Sequence, residues 1–101
     1  MNKYLLIFLF FFICSCDNSK QEKTTFFPHR LDSVPYSESV LVGDMLYISG
    51  QIANLEDDYN KIIDGGIKAQ VNQTMLNIQT ILEKHKATMD DIVKCTCILA
   101  D

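Results

Sequence analysis

The chain has 101 residues, of which 48% are hydrophobic and 22% charged, so it falls in the globular class and has room for one domain. Thirteen acidic residues outnumber nine lysines and arginines, which gives a net charge of −4. Binding to nucleic acid needs clustered Lys and Arg that displace counterions from phosphates, and the sequence has no such cluster. The composition therefore argues against a nucleic-acid partner.

The first fifteen residues have the three-part plan of a secretory signal. Lys3 supplies a positive charge, residues 4–13 form an apolar run, and Ile-Cys-Ser-Cys at residues 13–16 ends the run with small residues. A membrane-spanning helix needs about twenty apolar residues, so this shorter run predicts a signal and not a permanent span. The ending resembles a bacterial lipobox, which predicts cleavage after Ser15 and acylation of Cys16. An ordinary cleaved signal is the alternative.

Residues 16–34 are predicted to be a polar tether, because residues 18–23 offer no apolar side chain to bury. A tether of this kind would hold a folded domain off a membrane surface. We therefore expect an exported protein that is lipid-anchored through Cys16 on the periplasmic or cell-surface side of a bacterial membrane.

Two short runs rich in Val, Leu, Ile and Tyr, at residues 39–42 and 45–49, are separated by Gly43 and Asp44. A two-residue connection with Gly first suits a type II′ turn, because Gly accepts the positive φ that this turn requires. The pattern predicts a β-hairpin. A polar loop follows the hairpin, and a short third strand could end that loop at residues 62–63.

A helical period replaces the β pattern from Ile67 onward. The apolar residues then recur every three or four positions, at Ile67, Val71, Met75, Ile78 and Leu82. This spacing predicts a helix with one apolar stripe facing a core. Its end is predicted at residues 84–86, where lysines suit a helix C-terminus.

The segment after the helix combines a turn signal with β alternation. Thr88 with Asp91 three residues on is typical of a capping box for one further turn, and residues 92–99 then predict a strand. Cys95 and Cys97 would share one face of that strand about 6.6 Å apart, which is wide for a disulfide. With no other Cys or His close to them in sequence, we interpret them as buried apolar side chains and predict no metal site.

These elements predict an α+β layer with helices on one face of a sheet. The sequence stops at Asp101, directly after the last predicted strand, which leaves an open apolar edge of the kind that complete domains usually cover. We therefore expect a domain truncated after its first helix and the strand that follows it.

Four sequence pieces occur in one order and spacing: residues 35–37 (Pro-Tyr-Ser), residues 42–52 (Val-Gly-Asp-Met-Leu-Tyr-Ile-Ser-Gly-Gln-Ile), residues 65–70 (Gly-Gly-Ile-Lys-Ala-Gln) and residues 90–94 (Asp-Asp-Ile-Val-Lys). Together they resemble the RidA (YjgF/UK114) family over residues 35–101. The resemblance implies a chorismate-mutase-like fold, a mixed sheet backed by two helices, assembled as a homotrimer with sites between subunits. It also implies hydrolysis of 2-imino acids to 2-oxo acids and ammonia, without a cofactor.

Three residues of this sequence match family positions that line the ligand site. Tyr36 resembles the loop tyrosine that closes over the ligand, and Ser49 and Gly50 resemble residues lining the cleft at the end of the second strand. Taken alone, Tyr36 could be a loop aromatic packed on the core, and Ser49 and Gly50 could simply end a strand. The family context favours substrate-binding roles for all three.

The sequence departs from the family pattern where the chemistry is concentrated. The resemblance implies an arginine that binds the substrate carboxylate and a glutamate that orients water, both on segments that residues 1–101 do not contain. The one arginine present, Arg30, falls in the predicted tether. A smaller departure is Lys86, which stands where relatives often place the Gly that ends the helix in a left-handed turn, at a cost of about 1 kcal/mol.

Two classes of function follow from these observations. The first is a lipid-anchored imine deaminase of which this chain is an incomplete copy, inactive as it stands because no catalytic residue lies within it. The second is an exported trimeric ligand-binding or interaction module of the same fold, without turnover. An arginine and a glutamate in a downstream sequence would favour the enzyme, and their absence would favour the binding module.

Overall fold

The computed structural model describes residues 19–100, which form a sheet followed by a helix. The elements are β1 (Thr24–Pro28), β2 (Ser37–Val42), β3 (Met45–Ile48), α1 (Gly66–Lys84) and a 3₁₀ turn (Met89–Asp91). The sheet has the order β1-β2-β3, and both strand pairs are antiparallel. The predicted α+β class is confirmed for this part of the chain, whereas its sheet is antiparallel and not mixed.

The predicted hairpin is confirmed by the pairing of β2 with β3, in which Val42 lies opposite Met45. Gly43 has a φ of +57°, and Asp44 is not among the described residues with positive φ. A type I′ turn would need positive φ at both positions, so the single positive value fits the predicted type II′ turn. The turn chemistry at Gly43 thus sets the register of the hairpin.

An additional strand, β1, lies where the sequence predicted only a tether. It pairs with β2 so that Phe27 lies opposite Ser39. Threonine and phenylalanine are typical strand residues, and the Phe27 ring packs edge-on against His85 with 4.4 Å between ring centroids. The prediction of a tether over residues 16–34 is therefore wrong in its second half, because the sheet already begins at Thr24.

Both faces of this sheet carry apolar side chains. Side chains alternate between faces along each strand, so Phe27, Leu41 and Ile48 share the half-buried inner face. The opposite face, here called the outer sheet face, consists of Phe26, Val40, Val42, Met45 and Tyr47. Phe26 and Tyr47 are 67% and 59% exposed. An antiparallel sheet that meets water on one face normally carries polar residues there, so this face is unusually apolar.

Helix α1 occupies the range that the apolar spacing predicted. Gly65 precedes it with a φ of +115°, and a Cβ at this position would come within 2.8 Å of the Ala69 side chain, so glycine is required. The predicted stripe reaches the core only at its C-terminal end, where Leu82 and its neighbour Ile81 are buried. The stripe prediction is wrong at Ile67, which is 62% exposed, because no described residue covers that part of the helix.

A polar clamp joins α1 to the loop that follows β3. The Asn77 side-chain amide donates hydrogen bonds to the carbonyl oxygens of Ile52 at 2.9 Å and Asn54 at 3.0 Å. Asn54 is itself buried and forms an isolated β-bridge with Ile62. That bridge stands in place of the short third strand expected at residues 62–63, and the clamp fixes the loop against the helix.

The end of α1 is a Schellman motif with lysine at its left-handed position. The Ala87 amide donates to the Leu82 carbonyl and the Lys86 amide to the Glu83 carbonyl, each at 3.0 Å. Lys86 has a φ of +57°, which confirms the left-handed turn expected there. A side chain with a Cβ is strained in this region, so the helix end carries a cost that glycine would remove.

We expect Lys86→Gly to raise the free energy of unfolding by about 1 kcal/mol, because glycine adopts this φ without strain. Lys86→Ala is the matched control, since it removes the same charge but keeps a Cβ. Chemical denaturation of both variants measures the difference. Equal stabilities for the glycine and alanine variants would show that the turn is not strained.

The predicted final strand does not form among the described residues. The Thr88 amide donates to Asp91 Oδ2 at 2.7 Å, which confirms the capping box, but residues 92–100 then continue without regular secondary structure. Alternation alone cannot make a strand, because its backbone groups need a paired neighbour. Cys95 and Cys97, predicted to be buried, are exposed thiols for the same reason.

The predicted leader falls outside the described part of the chain. This applies to the signal at residues 1–15 and to the acylation site, Cys16. Within residues 19–100, none of the helices has the length and apolar character needed to cross a bilayer. The anchoring hypothesis therefore depends on the sequence of the leader alone.

Candidate functional site

The three residues expected to bind substrate lie at one end of the β2–β3 hairpin, opposite its turn. Tyr36 directly precedes β2, and Ser49 and Gly50 directly follow β3. The Ser49 amide donates to the Glu38 carbonyl at 3.0 Å, so pairing continues one step past the end of β3. The hairpin thus brings the loop before β2 and the loop after β3 to the same edge.

Ser49 and Gly50 are held differently. The Gln51 side chain turns back and donates to the Ser49 carbonyl at 3.1 Å and to its hydroxyl at 3.4 Å, which fixes the strand end. Gly50 is exposed, and a Cβ placed there would meet no atom within 4 Å. Within the described chain, the space beside Gly50 is therefore open to a ligand or to another chain.

Tyr36 belongs to an aromatic cluster made of His29, Tyr36 and Tyr59. The hydroxyls of the two tyrosines share a hydrogen bond of 2.9 Å. The His29 ring stands edge-on to both, with centroids 5.5 Å from Tyr36 and 5.1 Å from Tyr59. Among the described contacts, the Tyr36 side chain is thus bound to this cluster and not to Ser49 or Gly50.

Arg30 extends the aromatic cluster with a positive charge. Its guanidinium carbon lies 5.6 Å from the centroid of the Tyr59 ring, a cation–π distance. Nη1 is 3.8 Å from the Glu56 carboxylate, and Nη2 donates to the Leu55 carbonyl at 3.5 Å. The assignment of Arg30 to a polar tether is therefore wrong, because β1 and the following loop carry it to the site.

A small polar cleft of about 60 Å³ opens beside this cluster, between the sheet end and the C-terminal half of α1. His29, Arg30 and Tyr59 line one wall, and Glu38 and Lys84 line the other. Lys84 Nζ binds both Glu38 carboxylate oxygens, at 3.1 and 3.0 Å. Glu38 is nearly buried, so this ion pair forms a rigid, electrically neutral wall.

The hydrogen bond between the Tyr36 and Tyr59 hydroxyls changes the acidity of Tyr59. Donation between Tyr36 and Tyr59, followed by burial, raises the pKa of Tyr59 above its ordinary value of 10.0, and the charge of Arg30 opposes this rise. The folded state therefore favours the neutral phenol. The stabilisation that this provides is fully present below pH 10 and is lost as pH rises through the raised pKa.

We expect Tyr36→Phe to lower the pKa of Tyr59 toward 10.0, because the variant removes the main cause of the shift. Phenolate absorbance during an alkaline titration follows the ionisation directly. Tyr47→Phe, on the outer sheet face, is the control and should leave the Tyr59 transition in place. A Tyr59 pKa that is the same with and without the Tyr36 hydroxyl would contradict the pairing.

A second His-containing contact serves the fold and not the site. Ser39 Oγ and His85 Nε2 are 3.0 Å apart, and Ser39 is 1% exposed. A hydroxyl buried this deeply cannot reach a substrate, so this pair anchors the end of α1 on the inner face of the sheet. His85, isolated in sequence, thus acquires a packing role next to Phe27.

The groups that line the cleft define its chemistry. They offer one arginine fork, phenol and amide hydrogen-bonding groups, and a paired carboxylate, which suits a small polar molecule. Among residues 19–100, no group of three His, Cys, Asp or Glu side chains is placed to hold a metal ion. Sequence reasoning missed His29, Arg30 and Tyr59, because no spacing pattern connects the two loops that carry them.

Comparison with known proteins identifies the family. The family model described as Endoribonuclease L-PSP matches residues 28–101. A RutC family protein of Pyrococcus abyssi is 37% identical over 67 residues, which cover 66% of this chain and 52% of that protein. The human 2-iminobutanoate/2-iminopropanoate deaminase is 36% identical over 67 residues, 66% of this chain and 48% of the relative. Protein HMF1 of Saccharomyces cerevisiae is 34% identical over 83 residues, covering 77% and 63%.

The chain belongs to the Endoribonuclease L-PSP (RidA/YjgF) family, as its sequence pieces indicated. It spans about half the length of the Pyrococcus and human relatives that it matches. The matched range includes Tyr36, Ser49 and Gly50, and it also includes Arg30 and Tyr59. The match thus covers both the site positions expected from the resemblance and the cleft beside them.

Proposed function

We propose that the whole protein hydrolyses 2-imino acids to 2-oxo acids and ammonia. The observation that carries this proposal is the family match over residues 28–101, together with the printed names of the mammalian relatives, which are 2-iminobutanoate/2-iminopropanoate deaminases. In this reaction water adds to the imine carbon, and the resulting carbinolamine loses ammonia to leave a carbonyl. Tyr36, Ser49 and Gly50 would line the substrate side of the site.

Hydrolysis of an imine requires only a few protein groups. A cation must hold the substrate carboxylate, a carboxylate must orient water toward the imine carbon, and a narrow cleft must hold both groups in place. The family resemblance implies that this arginine and glutamate lie on segments that residues 1–101 do not contain. We therefore expect the 101-residue polypeptide to give no acceleration by itself.

A chimeric protein tests the proposal, because imine hydrolysis by the chimera would support it directly. Residues 28–101 of this chain replace the matched segment of the human deaminase, and 2-iminobutanoate is generated in situ by an amino acid oxidase. We expect the chimera to release ammonia on the order of 10² times faster than the uncatalysed reaction, within the range of general acid–base catalysis. The 101-residue chain without its complement is the control. A folded chimera without activity, or turnover by the control, would contradict the assignment.

The second candidate is a ligand-binding or interaction module of the same fold without turnover. The observation favouring it is that Glu38, the nearly buried carboxylate that lines the cleft, is already engaged by Lys84. A paired carboxylate is a poor water-orienting base, so the groups of this chain suit binding better than chemistry. Saturable binding of a 2-oxo acid with an inactive chimera would favour this module.

Assembly as a homotrimer is part of the proposal. The outer sheet face supports it, because its exposed aromatic and aliphatic side chains would be buried if identical faces met in the middle of an assembly. Gly50 lies in open space, which is also what a site completed by a neighbouring subunit would require. Second copies of this chain are thus the proposed occupants of the outer sheet face.

Export with a lipid anchor on Cys16 is also proposed. It is supported by the charge of Lys3, the apolar run at residues 4–13 and the lipobox-like end at residues 13–16. Residues 19–23 are exposed and polar, as suits a short spacer between an anchor and the sheet that begins at Thr24. The protein would then act outside the cytoplasm.

RNA cleavage is not the function that we propose, although the family description names an endoribonuclease. The net charge is −4, and of the two cations that line the cleft, Lys84 is held by the Glu38 carboxylate, so that Arg30 alone has hydrogen bonds to offer a ligand. Phosphate backbones are held by several unpaired cations acting together.

A further inference from the structure

The cleft beside the aromatic cluster contains a cation with unused hydrogen-bonding capacity. Arg30 has five N–H donors, and the two polar contacts that it makes within residues 19–100 are long: 3.5 Å to the Leu55 carbonyl and 3.8 Å to the Glu56 carboxylate. The second distance exceeds that of a hydrogen bond. The Glu56 side chain is 84% exposed, so its carboxylate stays hydrated and its pairing with Arg30 is weak.

The position of Arg30 is fixed in spite of these loose polar contacts. Its guanidinium lies over the Tyr59 ring, and Tyr59 is held by the Tyr36 hydroxyl at 2.9 Å and by the edge of the His29 ring. His29 in turn accepts a hydrogen bond from the Leu31 amide through Nδ1 at 3.1 Å. A guanidinium held on such a platform loses little further freedom when it binds a ligand.

Lys84, the other cation that lines the cleft, is bound more tightly than Arg30. Lys84 gives hydrogen bonds to both oxygens of Glu38, whose side chain is only 12% exposed. Removing Lys84 from that contact would leave a nearly buried carboxylate without a partner, which is costly. Arg30 is therefore the cation in this cleft that can exchange its partner, and its fork geometry matches a carboxylate.

We infer that this cleft binds a small molecule carrying a carboxylate, with Arg30 as its anchor and with Glu56 displaced on binding. The volume of about 60 Å³ has room for roughly four waters, which suits a carboxylate with a short carbon chain. The neutral Glu38–Lys84 wall does not repel such a ligand. Tyr36 links the cleft to the substrate position expected from the family.

The inference rests on the proposed function only for the identity of the natural ligand, an imino or oxo acid, and it adds Arg30 as a second carboxylate anchor beside the arginine that the family resemblance implies. Binding through Arg30, however, can be measured without turnover. The probe is 2-oxobutanoate, the stable product of the proposed reaction, titrated into the full 101-residue chain by calorimetry. 2-Butanone, which lacks the carboxylate, and inorganic phosphate are the comparison ligands.

We expect saturable binding of 2-oxobutanoate and none of 2-butanone. Arg30→Gln should weaken the affinity at least about tenfold, and Arg30→Lys should weaken it less because it keeps the charge and loses only the fork. Lys94→Gln removes a positive charge from the segment after the 3₁₀ turn, away from the cleft, and should have no effect. Glu56→Gln should tighten binding, because it removes the carboxylate that competes for Arg30.

Several results would overturn the inference. These are absence of binding at millimolar concentrations, equal binding of phosphate, equal loss of affinity in Arg30→Gln and Lys94→Gln, or no tightening in Glu56→Gln. Chemical-shift mapping on the unsubstituted chain guards against misfolded variants. The shifts caused by 2-oxobutanoate should centre on His29, Arg30 and Tyr59, and shifts centred elsewhere would contradict the site.

The two proposals fail in distinguishable ways. An active chimera whose turnover and product affinity are unchanged by Arg30→Gln would keep the deaminase function and remove the anchor. An inactive chimera, combined with Arg30-dependent binding to the 101-residue chain, would keep Arg30 as the anchor and contradict the deaminase function.

Discussion

We expect Cys16→Ala to move the protein from the membrane fraction to the soluble fraction almost completely. The variant removes the thiol that the lipobox-like sequence would acylate, while the apolar run at residues 4–13 still directs export. One acyl chain gives only marginal membrane binding, so stable anchoring implies at least two chains on this cysteine. Fractionation of cells expressing the full chain, with detection by antibody, measures the redistribution.

Cys14→Ala is the matched control for this experiment. It removes a neighbouring thiol in the same small-residue segment but leaves the acylation site, so its product should stay with the membrane. Incorporation of a labelled fatty acid should follow the same pattern. If the Cys16 and Cys14 variants partition equally, Cys16 is not the anchor. The leader would then be an ordinary cleaved signal or a segment that does not direct export.

The second large effect is expected on assembly. In the chimeric protein, Tyr47→Lys should convert a trimer into a monomer, because it places a charge on the outer sheet face. Burying an unpaired charge at an interface costs several kcal/mol, enough to abolish association at micromolar concentration. Sedimentation equilibrium gives the mass of the assembly directly.

Asn72→Lys, on the exposed surface of α1, adds the same charge away from the outer sheet face and should leave the trimer intact. A chimera that is monomeric before any substitution would contradict the proposed assembly. A trimer that survives Tyr47→Lys would place the interface elsewhere and leave the apolar character of this sheet face without an explanation.

Features specified by local chemistry were predictable from the sequence. Gly43 fixed the hairpin turn, because the positive φ of that turn selects glycine. The spacing of apolar residues predicted α1, and Lys86 at the helix end adopted the left-handed conformation that the family pattern required. Each of these signals lies within a few residues of the structure that it specifies.

Features that depend on distant partners were not predictable. β1 exists because β2 pairs with it and because His85, at the far end of α1, packs on Phe27. Residues 92–99 have the alternation of a strand but no neighbour to pair with among residues 19–100, so the same kind of pattern gave a wrong prediction there. A segment forms a strand only when a neighbouring segment pairs with its backbone, so the sequence of one segment is not sufficient to predict it.

The candidate site also combines a residue that the sequence identifies with residues that depend on distant partners. Tyr36 could be named from the family pattern, but its partner Tyr59 lies 23 residues away in an unrelated loop. The sequence around Arg30 predicts a tether, and only the pairing of β1 with β2 brings this residue over Tyr59. Long-range contacts of this kind leave no periodic signal in a single sequence.

Tyr36 of this chain is proposed to serve an imine-hydrolysing site, and kcat/KM of the chimera for 2-iminobutanoate tests this role most directly. We predict that Tyr36→Ala lowers kcat/KM at least about tenfold, which is 1.4 kcal/mol of transition-state stabilisation. Tyr47→Phe should leave it unchanged. An active chimera whose kcat/KM is the same with alanine at position 36 would contradict this role.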